Sequence, residues 1–343
     1  MAYDIVRPAD HQGWLAERLK GLGSSDAGTV MGVSPFSTPL RLWRQRMRLD
    51  PPVPESDAMR NGHYLEPAVA EYFAGATGAV IDPSSEGDWL AVDVDRPWLR
   101  VSPDRLFWPE GVERTPENRC ILEIKSTSKI VDPDELPLYW ICQVQYQMGV
   151  MGIDMAAIAW VTGAPRLSMD HAWISFNPGF YKTLTDALDR FWNENIVKAI
   201  PPDPIDGADV RLTWPTSADK KLVMATASDL EDCRRQKALA EEMADLQKQM
   251  DEVETRIKTR LRDGESLVWT DPETGDSTTI ARFKSVNETV FDEERFRNER
   301  PGEYAKYLRQ YFDKALFKDE DKVLFKAYST QKKGSRRFSV MLK

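Results

Sequence analysis

Two carboxylates and a lysine stand close together in the first half of the chain. Asp104 follows a Ser-Pro pair, and Glu123 and Lys125 are two positions apart in the run 120–125, which is otherwise apolar. On a β-strand, such positions face the same side. A charged pair on an apolar strand is costly to bury without a purpose. With Asp104 it predicts a carboxylate site for a hard cation, Mg²⁺ or Mn²⁺, and a lysine that orients or deprotonates an attacking water.

A purely structural explanation of these residues stays open. The strand can carry a surface ion pair, and Asp104 can belong to an ordinary Ser-Pro-Asp turn, because both patterns are common by chance. Glu66 begins a predicted helix, where an acidic residue also serves the helix dipole. Gln143 and Gln147 lie one turn apart on another predicted helix, either as a polar edge or as amide donors directed at the site.

The elements that must position these side chains alternate between helical and strand patterns. Helical periodicity covers 62–75, 137–151 and about 179–198, and strand patterns cover 90–94, 120–125, 157–161 and 172–176. Strands interleaved with helices favour an α/β or α+β core. We therefore predict one core domain over residues 1–200.

Beyond residue 200 the sequence changes character. Clustered prolines predict a connector over 201–227. Apolar residues then recur at alternating spacings of four and three, at Leu239, Met243, Leu246, Met250, Val253 and Ile257. This heptad seam predicts a helix over 228–263, and its shortness favours packing within the chain or against a partner over an independent dimer zipper. A basic region with a hairpin and helices is predicted over 264–343.

Composition excludes several classes of protein. Of the 343 residues, 41% are hydrophobic and 29% charged, which is typical of a soluble globular protein and not of a disordered or collagen-like chain. The net charge of -9, taken as a total, argues against nucleic-acid binding. The charge is uneven, because 51–150 hold 17 acidic and 8 basic side chains whereas 301–343 hold 5 and 11. The basic tail and the arginines at 41–48 therefore offer local positive surface.

Targeting and cysteine patterns give two further expectations. A secretory leader and an apolar run of membrane-spanning length are both missing, so we expect a cytoplasmic protein without membrane contact. Cys120, Cys142 and Cys233 lack the spacing of a disulfide framework, a zinc site or an iron–sulfur site, and are expected to be buried thiols.

Five short motifs, taken in order, resemble a known family. They occupy 21–26, 62–66, 102–104, 122–125 and 143–148. Their order resembles that of the YqaJ-type viral recombinases, relatives of the lambda-type phage exonuclease in the PD-(D/E)-x-K nuclease superfamily. The resemblance covers roughly residues 12–198 and extends only loosely over 201–343. It implies a restriction-endonuclease-like core, with a central mixed sheet flanked by helices and a helical, coiled-coil-like C-terminal extension.

The resemblance implies roles for the residues of the motifs. The implied metal ligands are Asp104, Glu123, Glu66 and the backbone carbonyl of Ile124. The implied catalytic set adds Lys125, on the attacking water, and Gln143, which supports the site from its helix. Arg18, Ser25 and Ser102 are the implied ligands of the 5′-phosphate of a DNA end, and Arg41 and Arg44 are expected to contact the duplex.

The implied activity is Mg²⁺-dependent digestion of linear double-stranded DNA from its 5′ end, with Mn²⁺ as a substitute. The product would be a 3′ single strand for a single-strand annealing recombinase, and relatives imply a homo-oligomer, a trimer. Two alternatives stay open. One is an endonuclease or a RecB-like end-processing nuclease; the lack of a four-cysteine cluster argues against iron–sulfur forms. The other is a non-catalytic DNA-binding scaffold, which has no physical reason to keep both carboxylates and the lysine.

Overall fold

The computed structural model describes residues 2–51, 54, 56–163, 167–218, 221–284 and 293–299, with 301–302, 319 and 322–323. The chain forms two compact units, Met1–Trp214 and Pro215–Lys343. The first unit contains the helices α1 (His11–Arg18), α2 (Ala27–Val30), α3 (Pro39–Arg46), α4 (Asp57–Thr77), α5 (Leu138–Met151), α6 (Pro178–Arg190) and α7 (Gly207–Thr213). Short 3₁₀ helices cover Ser24–Asp26, Pro83–Ser85 and Pro116–Asn118, and a π-helix, Phe191–Val197, continues α6.

A five-stranded mixed sheet forms the centre of the first unit. The strands of this unit are β1 (Tyr3–Val6), β2 (Val80–Ile81), β3 (Leu90–Asp93), β4 (Arg100–Val101), β5 (Arg105–Trp108), β6 (Cys120–Thr127), β7 (Met155–Thr162) and β8 (Ser168–Ser175). The central order is β2-β5-β6-β7-β8, and β1-β3-β4 form a second sheet. Only β6 and β7 pair in parallel, because α5 crosses between them. The expected central mixed sheet flanked by helices is confirmed.

Strand β6 separates two apolar cores. Ile121 packs in a core that includes Val144 and Met148 of α5. Leu122 packs in a different core with Val69 and Phe73 of α4. Because side chains alternate along a strand, the charged residues that share the parity of Ile121 face α5. The two faces of the sheet therefore receive different helices, as the pattern of 120–125 predicts.

Helix α4 begins five residues before the predicted start at 62. The Ser56 hydroxyl accepts a hydrogen bond from the backbone N–H of Met59 and caps the first turn. Gly78, at φ 68°, ends the helix in the left-handed conformation that glycine adopts without strain. The residues beyond Thr77 are thus free to turn into β2.

The first unit extends to Trp214, beyond the boundary predicted at residue 200. Asp209 of α7 is fully buried and accepts a hydrogen bond from the Thr38 hydroxyl at 2.9 Å. It also pairs with Arg41 at 3.1 Å, and Arg41 pairs in turn with Asp206 at 2.6 Å. The prolines end the preceding helix as expected, but this polar anchor holds part of the predicted connector on the core.

The second unit contains α8 (Ala227–Leu261), β9 (Ser266–Thr270), β10 (Ser277–Arg282) and α9 (Glu293–Glu299). A capping box of Thr226 and Asp229 begins α8, close to the predicted start at 228. Strands β9 and β10 form an antiparallel hairpin around the turn predicted at 273–276. Most of the predicted basic region, including nearly all of 303–343, lies outside the described residues.

Helix α8 is long but strongly charged, and most of its residues are exposed. Across the described residues, no helix combines the length and the apolar character that a bilayer crossing requires.

The cysteines differ in their surroundings. Cys120 and Cys142 are buried, and burial raises the pKa of each thiol to about 11, which leaves them unreactive. Cys233, on α8, is only partly buried. The expectation of buried thiols therefore holds for two of the three.

The anchor at Asp209 predicts a measurable loss of stability. Asp209→Ala leaves Arg41 and the Thr38 hydroxyl without their buried acceptor and should lower the free energy of unfolding by about 2 kcal/mol. Asp203→Ala, at an exposed position nearby, should change it by no more than about 0.5 kcal/mol. Urea denaturation followed by tryptophan fluorescence measures both, and equal values would contradict the anchoring role.

Candidate active site

The start of β5 brings Asp104 to the middle of β6. Arg105 is in antiparallel register with Leu122, so Asp104, the residue before Arg105, lies beside the middle of β6. The Asp104 carboxylate accepts a hydrogen bond from the backbone N–H of Ile124 at 2.6 Å. The structure therefore brings Asp104 beside the strand that carries Glu123 and Lys125.

The carboxylate of Glu123 is buried and hydrogen-bonded on both oxygens. Its side chain is 2% exposed. Oε1 accepts from Lys125 Nζ at 2.6 Å and from the amide of Gln143, and Oε2 accepts from the amide of Gln147 at 2.7 Å. Gln143 also accepts from Lys125 Nζ at 2.8 Å. Such donors are what allow a carboxylate to stay charged inside a protein.

Helix α5 supplies both glutamines from successive turns. Gln147 is fully buried and also donates to the Ser24 hydroxyl at 3.2 Å. It is absent from the predicted site, although the i, i+4 spacing of the two glutamines pointed to a shared stripe. Both glutamine amides donate to the buried carboxylate of Glu123, so the two glutamines are amide donors to the site and not a polar edge of the helix.

Lys125 is held as an ammonium group. Burial lowers the pKa of Lys125, but the charges of Glu123 and Asp104 outweigh burial and keep it above its ordinary value. A protonated lysine is a donor toward a water or a phosphate oxygen. It can serve as a base only when the neighbouring negative charge has been compensated.

Asp104 is in an environment that disfavours its charged form. Burial and the charge of Glu123 raise the pKa of Asp104 well above its ordinary range, against the opposite effect of Lys125. The two carboxylates therefore carry more negative charge than the lysine compensates. Carboxylate oxygens are the ligands that Mg²⁺ and Mn²⁺ prefer, so Asp104 and Glu123 fit a divalent cation.

Glu66 of α4 is engaged by a different cation. Its carboxylate forms an ion pair with Arg105, whose guanidinium also donates to the backbone carbonyl of Asp104. In the part of the chain that the structure describes, no three His, Cys, Asp or Glu side chains are grouped closely enough to hold a metal ion. Glu66 would have to leave Arg105 to join a cation at Asp104, and the ligand set with Ile124 stays a prediction.

A groove of about 1230 Å³ contains these side chains. Its walls include the predicted catalytic residues Glu66, Asp104, Glu123, Lys125 and Gln143, and the predicted phosphate ligands Arg18, Ser25 and Ser102. The eight side chains, dispersed over more than 120 positions of sequence, therefore line one surface.

Arg18 and Ser25 are already in contact. The guanidinium of Arg18 donates a hydrogen bond to the Ser25 hydroxyl and lies over the ring of Trp14, 5.3 Å from its centroid. Trp14 in turn stacks on His11 with ring centroids 5.3 Å apart. Both aromatic residues line the groove, and the predicted set does not include them.

The turn that presents Ser25 is fixed by a buried ion pair. Asp26 accepts a hydrogen bond from the backbone N–H of Gly23 at 2.8 Å. Its carboxylate also pairs with Arg46 of α3, whose side chain is 6% exposed. The hydroxyls of Ser24 and Ser25 are therefore held in place by an arginine from the stretch that was expected to contact DNA.

Arg41 and Arg44 do not line the groove as described. Arg44 binds both carboxylate oxygens of Asp50, at 2.8 and 2.7 Å. Arg41 binds the carboxylates of Asp206 and Asp209, which anchor α7. Both arginines are thus committed to local ion pairs in this structure, and their contact with duplex DNA stays a prediction.

The fold and the site together define the class of protein. An antiparallel β5–β6 pair continues into a parallel β7, helices cover both faces, and an aspartate on one strand meets a Glu-x-Lys on the next. This arrangement agrees with the core that the resemblance to the PD-(D/E)-x-K nucleases implies. Residues 13–158 match the family model of the YqaJ-like viral recombinase domain.

Individual relatives are more distant. The chain is 27% identical over 265 residues to the uncharacterized protein YqaJ of Bacillus subtilis strain 168, across 74% of this chain and 78% of that protein. It is also similar to an alkaline exonuclease from Laribacter hongkongensis, with 18% identity and a TM-score of 0.44 over 55% of this chain and 93% of that one. A phage-related exonuclease from Haemophilus somnus 129PT is 10% identical, with a TM-score of 0.36 over 52% and 96% of the chains.

The crowding of carboxylates predicts that the site costs stability. A raised carboxyl pKa means that the ionised form destabilises the folded chain above the ordinary pKa. Asp104→Asn keeps the acceptor for Ile124 and removes that charge, so in EDTA it should be as stable as the parent or more stable by about 1 kcal/mol. Chemical denaturation at pH 7 measures this, with Asp203→Asn as control; a loss of more than about 1 kcal/mol would contradict it.

Proposed function

We propose that the chain is a divalent-metal-dependent exonuclease that digests linear double-stranded DNA from the 5′ end. The observation that supports this most is the convergence of Asp104, Glu123 and Lys125 in the groove that also holds Arg18 and Ser25. The YqaJ-like viral recombinase domain supports an activity of the phage-exonuclease type. The product would be a 3′ single strand.

The carboxylates and the backbone are proposed to hold the cation. Asp104, Glu123 and the carbonyl of Ile124 would bind Mg²⁺ or Mn²⁺, and Glu66 would join when it leaves Arg105. A bound divalent cation supplies electrostatic stabilisation of the charge that develops on the phosphate and the leaving oxygen.

Lys125 is proposed to hold the attacking water. Its Nζ is fixed by Glu123 at 2.6 Å and by Gln143 at 2.8 Å, so the third donor direction can be aimed at the reacting phosphate. Once its carboxylate neighbours are compensated, the pKa of Lys125 falls and the amine can take a proton from water. Gln143 and Gln147 keep Glu123 in the geometry that this requires.

Arg18, Ser25 and Ser102 are proposed to bind the terminal 5′-phosphate. A guanidinium can bind phosphate oxygens through two parallel hydrogen bonds, and a serine hydroxyl adds a third donor. The existing contact of Arg18 with Ser25 means that two of the donors are oriented in advance.

The partners follow from this proposal. The 3′ strand would pass to a single-strand annealing recombinase, and the chain would act as a homo-oligomer, a trimer by family resemblance. The supporting observation is again the match of residues 13–158 to the YqaJ-like viral recombinase domain.

The first test is digestion of DNA. Purified protein with Mg²⁺ should release mononucleotides from linear 5′-phosphorylated duplex, and EDTA should stop the release. Asp104→Ala and Lys125→Ala should each lower the rate by at least about a hundredfold, because each removes stabilisation of the transition state. Gel electrophoresis and acid-soluble nucleotide measure the rate, and circular dichroism confirms folding.

The outcome separates the alternatives. An exonuclease leaves covalently closed circular duplex intact, whereas an endonuclease nicks it. A non-catalytic scaffold would bind duplex ends without any metal-dependent release of nucleotides. Intact linear DNA, under conditions where a control nuclease digests it, contradicts the proposed activity.

The second test concerns the 5′ end. Arg18→Ala should reduce the preference for 5′-phosphate over 5′-hydroxyl ends by about tenfold, since one charge-assisted contact is lost. Lys20→Ala removes a neighbouring positive charge that does not line the described groove and should leave the preference unchanged. Initial rates on paired substrates that differ only in the 5′ group measure the preference. An equal effect of both variants would indicate general charge attraction and not phosphate recognition.

A further inference from the structure

The apolar seam of α8 has no part in the proposed nuclease chemistry. Its six residues, Leu239, Met243, Leu246, Met250, Val253 and Ile257, are all exposed, from 37% at Ile257 to 71% at Met243. No described residue of the second unit therefore encloses the seam. A row of large apolar side chains along a charged helix is a surface that fits another helix.

We propose that this seam pairs with the seam of a second copy of the chain, with the two α8 helices antiparallel. The seam is symmetric about residue 248. Leu239 and Ile257 lie nine residues from that centre, Met243 and Val253 five, and Leu246 and Met250 two. An antiparallel copy places Leu239 opposite the partner's Ile257, Met243 opposite the partner's Val253, and Leu246 opposite the partner's Met250. Every layer then contains one residue of each of the two core heptad positions, as an antiparallel twofold interface requires.

The residues that flank the seam favour the antiparallel direction. Glu242 lies beside the partner's Arg256, and the twofold axis repeats this pair of opposite charges. Near the axis, the neutral side chains of Gln247 and Gln249 each meet their own counterpart, so like charges are not brought together. In a parallel pair Glu242 would lie beside the partner's Gln247, and Gln249 beside the partner's Glu254, without an ion pair. Flanking charges of this kind decide the orientation of paired helices.

The length of the seam sets the strength of the pairing. The seam occupies residues 239–257 of a 35-residue helix, about 27 Å along its axis. So short a contact gives a reversible dimer and not a permanent one. For the same reason, the sequence pattern alone favoured packing within the chain or against a partner over an independent dimer zipper. The exposure of the seam and its self-complementary charges instead favour pairing with a second copy.

Cross-linking through single cysteines tests the direction. In a Cys233→Ser background, the remaining native cysteines are buried. Gln249→Cys should give a covalent dimer with a short bis-maleimide, because the two copies of residue 249 meet near the axis. Leu239→Cys should not, since its two copies lie about 27 Å apart in the antiparallel pair. A cross-link at residue 239 would show a parallel pair and contradict the antiparallel direction, and no cross-link at either position would overturn the proposal.

Charge reversal tests the register. Glu242→Arg and Arg256→Glu should each weaken association of the full chain about tenfold, and the double variant should restore it. Glu241→Arg makes the same change of charge on the outer face of the helix and should have no effect. Sedimentation from about 1 to 100 µM measures association. Equal weakening by Glu241→Arg, or no restoration in the double variant, would contradict the register.

Leu246→Asp separates this interface from any oligomer that the first unit forms. It should remove the residue 249 cross-link while leaving nuclease activity and the helical circular dichroism unchanged. If it instead lowers the melting temperature of a chain that neither cross-links nor associates, the seam packs within its own chain and the proposal is wrong. Cross-linking, sedimentation and circular dichroism do not depend on nuclease activity, so failure here and failure of the proposed function can be told apart.

Discussion

The buried carboxylate of Glu123 is the constraint on which the rest of the first unit depends. A charge with 2% exposure requires several donors, and these come from β6 itself and from two turns of α5. Helix α5 must therefore lie directly against the face of β6 that carries the charge, which is also the position that a parallel β6–β7 crossover gives it. Helix α5 therefore has two roles. It supplies the amide donors to Glu123, and its residues Tyr146 and Met148 form part of the apolar core.

The surrounding elements are held by the same kind of interaction on a smaller scale. Buried or half-buried ion pairs fix the turn at Ser25 through Asp26 and Arg46, and fix α7 through Asp209 and Arg41. Some of the acidic residues, such as Asp26 and Asp209, therefore lie inside the fold, where they form ion pairs with arginines. The net charge of -9 consequently says little about the surface that a ligand meets.

Local patterns predicted the elements that carry the site but not the contacts between distant polar residues. The alternation of 120–125 predicted the two faces of β6, because strand periodicity is a property of a short segment. The buried role of Gln147, the Glu66–Arg105 pair and the anchor of Asp209 depend on residues 24 to 171 positions apart. The sequence does not distinguish a charged side chain that will be buried from one that stays in water, so it could not predict the ion pairs that Arg41 and Arg44 form.

The contact between Arg105 and Glu66 has a thermodynamic consequence. If Glu66 binds a divalent cation as proposed, that cation and the Arg105 guanidinium would compete for the same carboxylate, so occupancy by one would lower the affinity for the other. Any anionic group that draws Arg105 away from Glu66 would release this carboxylate, and by linkage the cation and the anion would then raise each other's affinity to the same degree. The arginine is thereby an exchangeable counter-ion for the Glu66 carboxylate.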